Sequence, residues 1–274
     1  MQISSKFDNS EIKKHLFPKR DGFFTADNGS NEISFRVDEK CTVRCRFYPS
    51  LSDAPTILFF PSTSEPLQDL DEMALSYNKN NINVLIVSYR NDTEDLQAQS
   101  LTTFFDDGEK IFHQSLQWLS DNGYTGPIFP MGQALGTSLV IDLVSKNDEA
   151  VKGMVLESSI YEIVPFLKAS DITIDEDGLS EDCLLDNVAK IEKIKLPTLI
   201  FHGARDPITS IAEAEKLQAS SGARTKQFFI IPGAGQFGLS VTGGQLYFET
   251  IRKFFDTVCG VNTWRQKRKK YRNN

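Results

Sequence analysis

The sequence predicts an α/β fold in three layers, with helices on both faces of a mostly parallel central sheet of about eight strands. Three observations carry that expectation. Strand-like and helix-like segments alternate along most of the chain. Several strand segments are continuous apolar runs, which suit strands covered on both faces. The 274 residues, 40% hydrophobic and 24% charged, suffice for one large core.

The elements follow in order. "EISFRV" (Glu32–Val37) and "TVRCRFY" (Thr42–Tyr48) alternate apolar and polar residues across a short polar turn, so they read as an antiparallel hairpin. "APTILFFPS" (Ala54–Ser62) is a buried strand. "LQDLDEMALSYNKN" has helical spacing, and "NVLIVSYR" (Asn83–Arg90) is again a buried strand. "TTFFDDGEKIFHQSLQWLSDN" places apolar residues three and four apart, as a helix does. "GPIFPMG" reads as a strand, "LGTSLVIDLVSKN" as a helix and "VKGMVLESS" as a strand. An irregular stretch follows, to about Leu196. "PTLIFHG" (Pro197–Gly203) and "TKQFFIIPG" are strands around the helix "SIAEAEKLQASS", and "TGGQLYFETIRKFFDTV" is the last helix. Strand–helix repeats of this kind place successive strands side by side through right-handed crossovers.

The bulk properties exclude some classes. A net charge of −7 disfavours nucleic-acid binding by the body of the protein. No apolar run reaches the roughly 18–20 residues that span a bilayer. The N-terminus has neither the apolar core of a secretory signal nor the acid-poor character of a transit peptide. Of the four cysteines, Cys41 and Cys45 share a strand face, but Cys183 and Cys259 do not complete a zinc set with them. The expectation is reduced, buried thiols in a cytoplasmic protein that uses no metal or cofactor.

The stretch "PIFPMGQALGTSLVIDLV" (Pro127–Val144) joins an apolar strand to a helix through a turn bounded by glycines. With this turn, the element order resembles the α/β-hydrolase family of serine hydrolases, over about Ile33 to Phe255. That family sets its nucleophile in a G-x-S-x-G elbow between the fifth strand and the third helix. The matching residues are Gly132, Gln133, Ala134, Leu135 and Gly136. The resemblance puts the family acid at Asp206 in "LIFHGARDPIT" and the family histidine at Gln236 in "IIPGAGQFG". The order nucleophile, acid, histidine is kept, but the first and last positions lack their chemistry. The Ala134 methyl cannot attack, and the Gln236 amide does not accept a proton near neutral pH. After "TILFF" the family often has a His-Gly pair; here stand Pro61 and Ser62. The N–H groups of Thr63 and Leu135 occupy the oxyanion-hole positions, although Pro61 stiffens the approach. A single trapping substitution would leave histidine and loop intact, so the joint change points to natural loss or redesign of function.

The spacing of the two glycines is expected to survive because a sharp strand-to-helix turn crowds its flanks against neighbouring backbone. Ser62, Ser64, Thr137, Ser138 and Ser240 lie near the site in sequence, but a serine needs a base to become a nucleophile. His15 precedes the fold, and His113 lies inside a helix. His202, close to Asp206, is the possible substitute base; otherwise it packs beneath the acid loop. Asp206 is either a turn former, its carboxylate accepting backbone N–H groups, or a surviving ligand-binding group. It could also bond to Gln236.

The domain expectation is an N-terminal extension over 1–30 and a single domain over 31–260. Its small cap segment, about 161–194, carries Asp171, Asp175, Glu176, Asp177, Glu181, Asp182 and Asp186. That acidic face is either solvated or a rim that attracts basic ligands. Phe166, Leu167, Leu184 and Leu185 could line a shallow pocket beneath it. The tail over 261–274 is basic, with Arg265, Lys267, Arg268, Lys269, Lys270 and Arg272; it is a solvated tail or contacts an anionic surface. The functional expectation is an esterase-like pseudo-hydrolase that binds a small molecule or a protein partner in the old cleft. The alternative is a serine hydrolase acting on an ester, amide or short peptide, through a displaced nucleophile or in an inactivated form.

Overall fold

The computed structural model describes residues 10–20, 31–65, 69–92, 99–169 and 185–261. Eight strands form one sheet: β1 (Asn31–Arg36), β2 (Thr42–Tyr48), β3 (Thr56–Phe60), β4 (Asn83–Ile86), β5 (Ile128–Gln133), β6 (Met154–Glu157), β7 (Thr198–Gly203) and β8 (Lys226–Ile231). Their spatial order is β1-β2-β4-β3-β5-β6-β7-β8. The hairpin pairs Ile33 with Cys45, β2 runs antiparallel to β4, and every later pairing is parallel. The expected three-layer, mostly parallel sheet is what forms. The apolar runs behave as predicted, since β3, β4, β6 and β7 are buried at every position.

Helices cover both faces. On one side lie α1 (Ser10–Leu16), α3 (Leu101–Asp121), α4 (Leu135–Lys146) and α7 (Ile211–Ser220). On the other lie α2 (Asp69–Lys79) and α8 (Leu239–Val258), which is kinked at Gly244. The long α3 starts at a capping box: the Ser100 hydroxyl accepts from Thr103 N–H, and the Thr103 hydroxyl accepts from Ser100 N–H. The second core is strongly aromatic; Phe129 of β5 stacks on Phe255 of α8 at 3.9 Å between centroids.

Several expectations need correction. The stretch before Leu196 is not wholly irregular. It contains α5 (Ile163–Ala169) and α6 (Asn187–Lys193). Asp186 serves as the α6 N-cap, accepting from Ala189 N–H. The other acidic cap residues named above, Cys183, Leu184 and the basic tail from Arg265 lie outside the described residues. Leu167 and Leu185 are buried in the core, so among the described residues Phe166 is the member of the expected apolar lining that reaches a cleft. Cys41 and Cys45 are buried free thiols, but Cys259 is exposed.

Residues 10–20 are part of the packed structure. Ile12, Leu16 and Phe17 enter the core, where Phe17 meets Phe104. Arg20 is buried and forms a two-pronged ion pair with Asp92, its guanidinium lying 5.4 Å from the centre of the Tyr89 ring. A buried fork of this kind fixes orientation as well as charge.

Candidate functional site

The centre of the site is the turn between β5 and α4. Ala134 sits there at φ 48°, ψ −119°, a conformation that L-residues rarely adopt and that costs roughly 1–3 kcal/mol. The surroundings hold it in place. Ala134 N–H donates to the Glu157 carbonyl, and the Ala134 carbonyl accepts from both the N–H and the hydroxyl of Thr137. The flanking glycines are sterically required. A Cβ on Gly132 would lie 2.4 Å from the Gly136 carbonyl oxygen, and one on Gly136 would lie 2.1 Å from the Phe60 carbonyl oxygen.

The loop after β3 is locked from three sides. Ser62 N–H donates to the Gln133 side chain, the Ser62 carbonyl accepts from Arg20, and the Pro61 carbonyl accepts from the Tyr89 hydroxyl. The Thr63 hydroxyl donates to the Leu16 carbonyl, tying the N-terminal helix to the loop. A cleft of about 520 Å³ opens above this frame. Ala134, Leu135, Thr63 and Gln236 all line it, together with Ser62, Ser64 and Phe166.

Asp206 stands apart from this lining. One of its carboxylate oxygens accepts from the N–H groups of Ile208 and Thr209, and the other accepts from the Thr209 hydroxyl. Among the described residues no bond joins Asp206 to Gln236; the Gln236 backbone carbonyl accepts from the Ser158 hydroxyl. The carboxylate thus serves its own turn. His202 is 0% exposed; its Nε2 lies 3.1 Å from the Thr209 carbonyl, and Nδ1 has no hydrogen-bond partner among the described residues. It packs beneath the acid loop and does not line the cleft. Of the other hydroxyls, Ser62 and Ser64 lie 3.1 Å apart in the cleft, Ser138 bonds to Asn187, and Ser240 lines a separate cavity.

Sequence reasoning set His15 ahead of the fold. The structure brings it to the cleft wall beside Lys14, Leu16 and Pro18. No acidic residue is among the described residues of this lining, so the wall is cationic and hydroxyl-rich. The only signal in the sequence was the apolar triplet Ile12, Leu16 and Phe17, spaced as one helix face. His113, by contrast, is on the exposed side of α3.

Glu157 was also missed as a functional candidate. It ends β6, is 2% exposed, and accepts from the Tyr247 hydroxyl at 2.5 Å. Burial pushes its carboxyl up to about 8, against the lowering effect of the tyrosine; the Glu65 charge adds to the rise. The Tyr247 hydroxyl lies 2.8 Å from that of Tyr77, and burial raises both phenols. Among the described residues no cluster of histidine, cysteine and carboxylate could hold a metal ion, and no helix is long and apolar enough to cross a membrane.

No protein-family model matches the chain. Protein bem46 of Schizosaccharomyces pombe is 26% identical over 212 residues, which cover 73% of this chain and 67% of that protein. A protein of Acanthamoeba polyphaga mimivirus described as an alpha/beta hydrolase is 29% identical over 111 residues, covering 39% of this chain and 38% of its own length. Among solved structures, the Pyrococcus furiosus esterase Pf2001 superposes with a TM-score of 0.70 at 13% identity, over 88% of this chain and 98% of the esterase. The chain has the α/β-hydrolase fold.

Proposed function

We propose that this α/β-hydrolase-fold protein is a non-catalytic binder that holds a small molecule or a protein partner in the cleft over Ala134. The observation that carries the reading is the elbow itself. Its strained backbone presents a methyl group where acyl transfer needs an oxygen. Beside it stands an amide, Gln236, that cannot take up a proton near neutral pH. Asp206 is engaged by its own turn, and His202 is sealed under that turn. What remains is suited to holding a ligand. Thr63 and Leu135 supply the N–H positions for a ligand oxygen, Lys14 supplies positive charge, His15 supplies an imidazole, and Phe166 supplies an apolar wall. Loss of nucleophile and base together removes most of what a triad contributes, leaving only the residual rate of binding and an oxyanion hole.

A panel of p-nitrophenyl acyl esters tests this reading. Rates indistinguishable from buffer are expected at micromolar protein. Saturable turnover that survives repurification would end it.

A second reading has one observation behind it. His15, Ser62 and Ser64 share the cleft, so a displaced serine with His15 as base would be a hydrolase of an ester, amide or short peptide. It requires His15→Ala to abolish whatever turnover the panel detects.

A further inference from the structure

A second cavity of about 700 Å³ lies over the ends of β5 and β6, at Gln133 and Glu157, between α2 and the start of α8. Its walls include Met73, Phe237 and Phe248, and three carboxylic acids line it: Glu65, Glu72 and Glu157. No basic residue is among its described lining. Glu157 is the buried member. Its Oε1 accepts from Tyr247, the one hydrogen bond its carboxyl makes among the described residues, and Glu157 lines the cavity. Buried carboxyl groups ordinarily have their lone pairs met by donors or cations. The Arg20 guanidinium donates to the Glu65 carbonyl but is committed to Asp92.

We propose that this cavity binds an organic cation, an ammonium group carrying an alkyl or aryl body, with Glu157 as its counter-ion. The ammonium would donate to the Glu157 carboxylate, and the apolar walls would take the hydrocarbon. The site does not depend on the reading of the Ala134 cleft. The ionisable groups around Glu157 are Tyr247 of α8, Tyr77 of α2 and Glu65 of the loop after β3, with Glu72 of α2 also lining the cavity; none of them is a cation. Without ligand, burial keeps a proton on Glu157 near neutrality. A bound cation displaces that proton, so binding must release it and tighten as pH rises.

Calorimetric titration of the full chain with hexylammonium tests the proposal, with hexanol and hexanoate as matched probes. Hexylammonium is expected to bind, its affinity rising about tenfold per pH unit below about pH 8, with proton release visible as a dependence on buffer ionisation enthalpy. Neither matched probe should compete. Glu157→Gln should weaken binding at least tenfold at about pH 8 and remove the pH dependence. Its amide oxygen can still accept from Tyr247, so the fold should hold, which a thermal melt checks. Met73→Trp, which fills the cavity and leaves the Glu157 carboxyl unchanged, should block binding as well. No binding at millimolar hexylammonium, equal binding of hexanol, or affinity unchanged in Glu157→Gln would overturn the proposal.

Discussion

Replacing Glu157 by glutamine should change how stability depends on pH. The carboxyl ordinarily titrates near 4.5, and burial moves it to about 8 in the folded chain. Between those values the folded protein keeps the proton and the unfolded chain releases it. The folded state then binds more protons, so stability falls as pH rises, by up to about 1.4 kcal/mol per unit. The favourable contribution is complete below about 4.5 and is lost as pH passes through about 8. Over the whole window the ceiling is about 5 kcal/mol, and relaxation around the charged form brings the expected figure to roughly 3 kcal/mol. Glutamine carries no proton to release, so every other titrating group cancels in the difference between the two proteins. Urea unfolding of both, at steps from about pH 5 to about pH 9, measures it. The variant should gain on the parent steadily across the window. Parallel curves would mean that Glu157 is solvated or ion-paired in solution, and the reasoning would fail.

Gly136→Ala should cost about 3 kcal/mol or more, because the new methyl meets the Phe60 carbonyl oxygen at 2.1 Å, and backbone cannot yield as a side chain does; the loss is read from chemical denaturation. Arg20→Ala should destabilise by about 3–5 kcal/mol by leaving Asp92 buried and unpaired, and should raise proteolysis at residues 10–20. The double variant Ala134→Ser with Gln236→His should fold but gain little esterase activity, since Asp206 is bound to Ile208 and Thr209 rather than free to orient an imidazole; a large gain in p-nitrophenyl acetate turnover would show the pocket still shaped for acyl transfer.

What was legible in the sequence was set by local rules. The runs around Leu58 and Leu199 specify buried parallel strands, and the crowding at Gly132 and Gly136 follows from the turn alone. What was not legible depends on residues far apart in the chain. Residues 10–20 are held by Arg20 and Asp92, 72 positions apart, and no local pattern announces that pair. His15 reaches the cleft only as a consequence. Glu157 reads as an ordinary strand end, yet its carboxyl is buried and bonded to the Tyr247 hydroxyl, 90 positions away. The helices α5 and α6 were masked by Pro165 in the first turn of one and by the acidic segment between them. Asp206 was ambiguous because the same "RDPIT" serves equally as a turn and as an acid loop; only the hydrogen bonds to Ile208 and Thr209 separate the two.

Fluorophosphonate labelling, read by intact mass, tests most directly whether a usable nucleophile survives in the cleft. The account predicts no adduct after prolonged incubation, because an activated hydroxyl is lacking at the elbow. One adduct per chain, mapped to Ser62 or Ser64 and lost in His15→Ala, would contradict it.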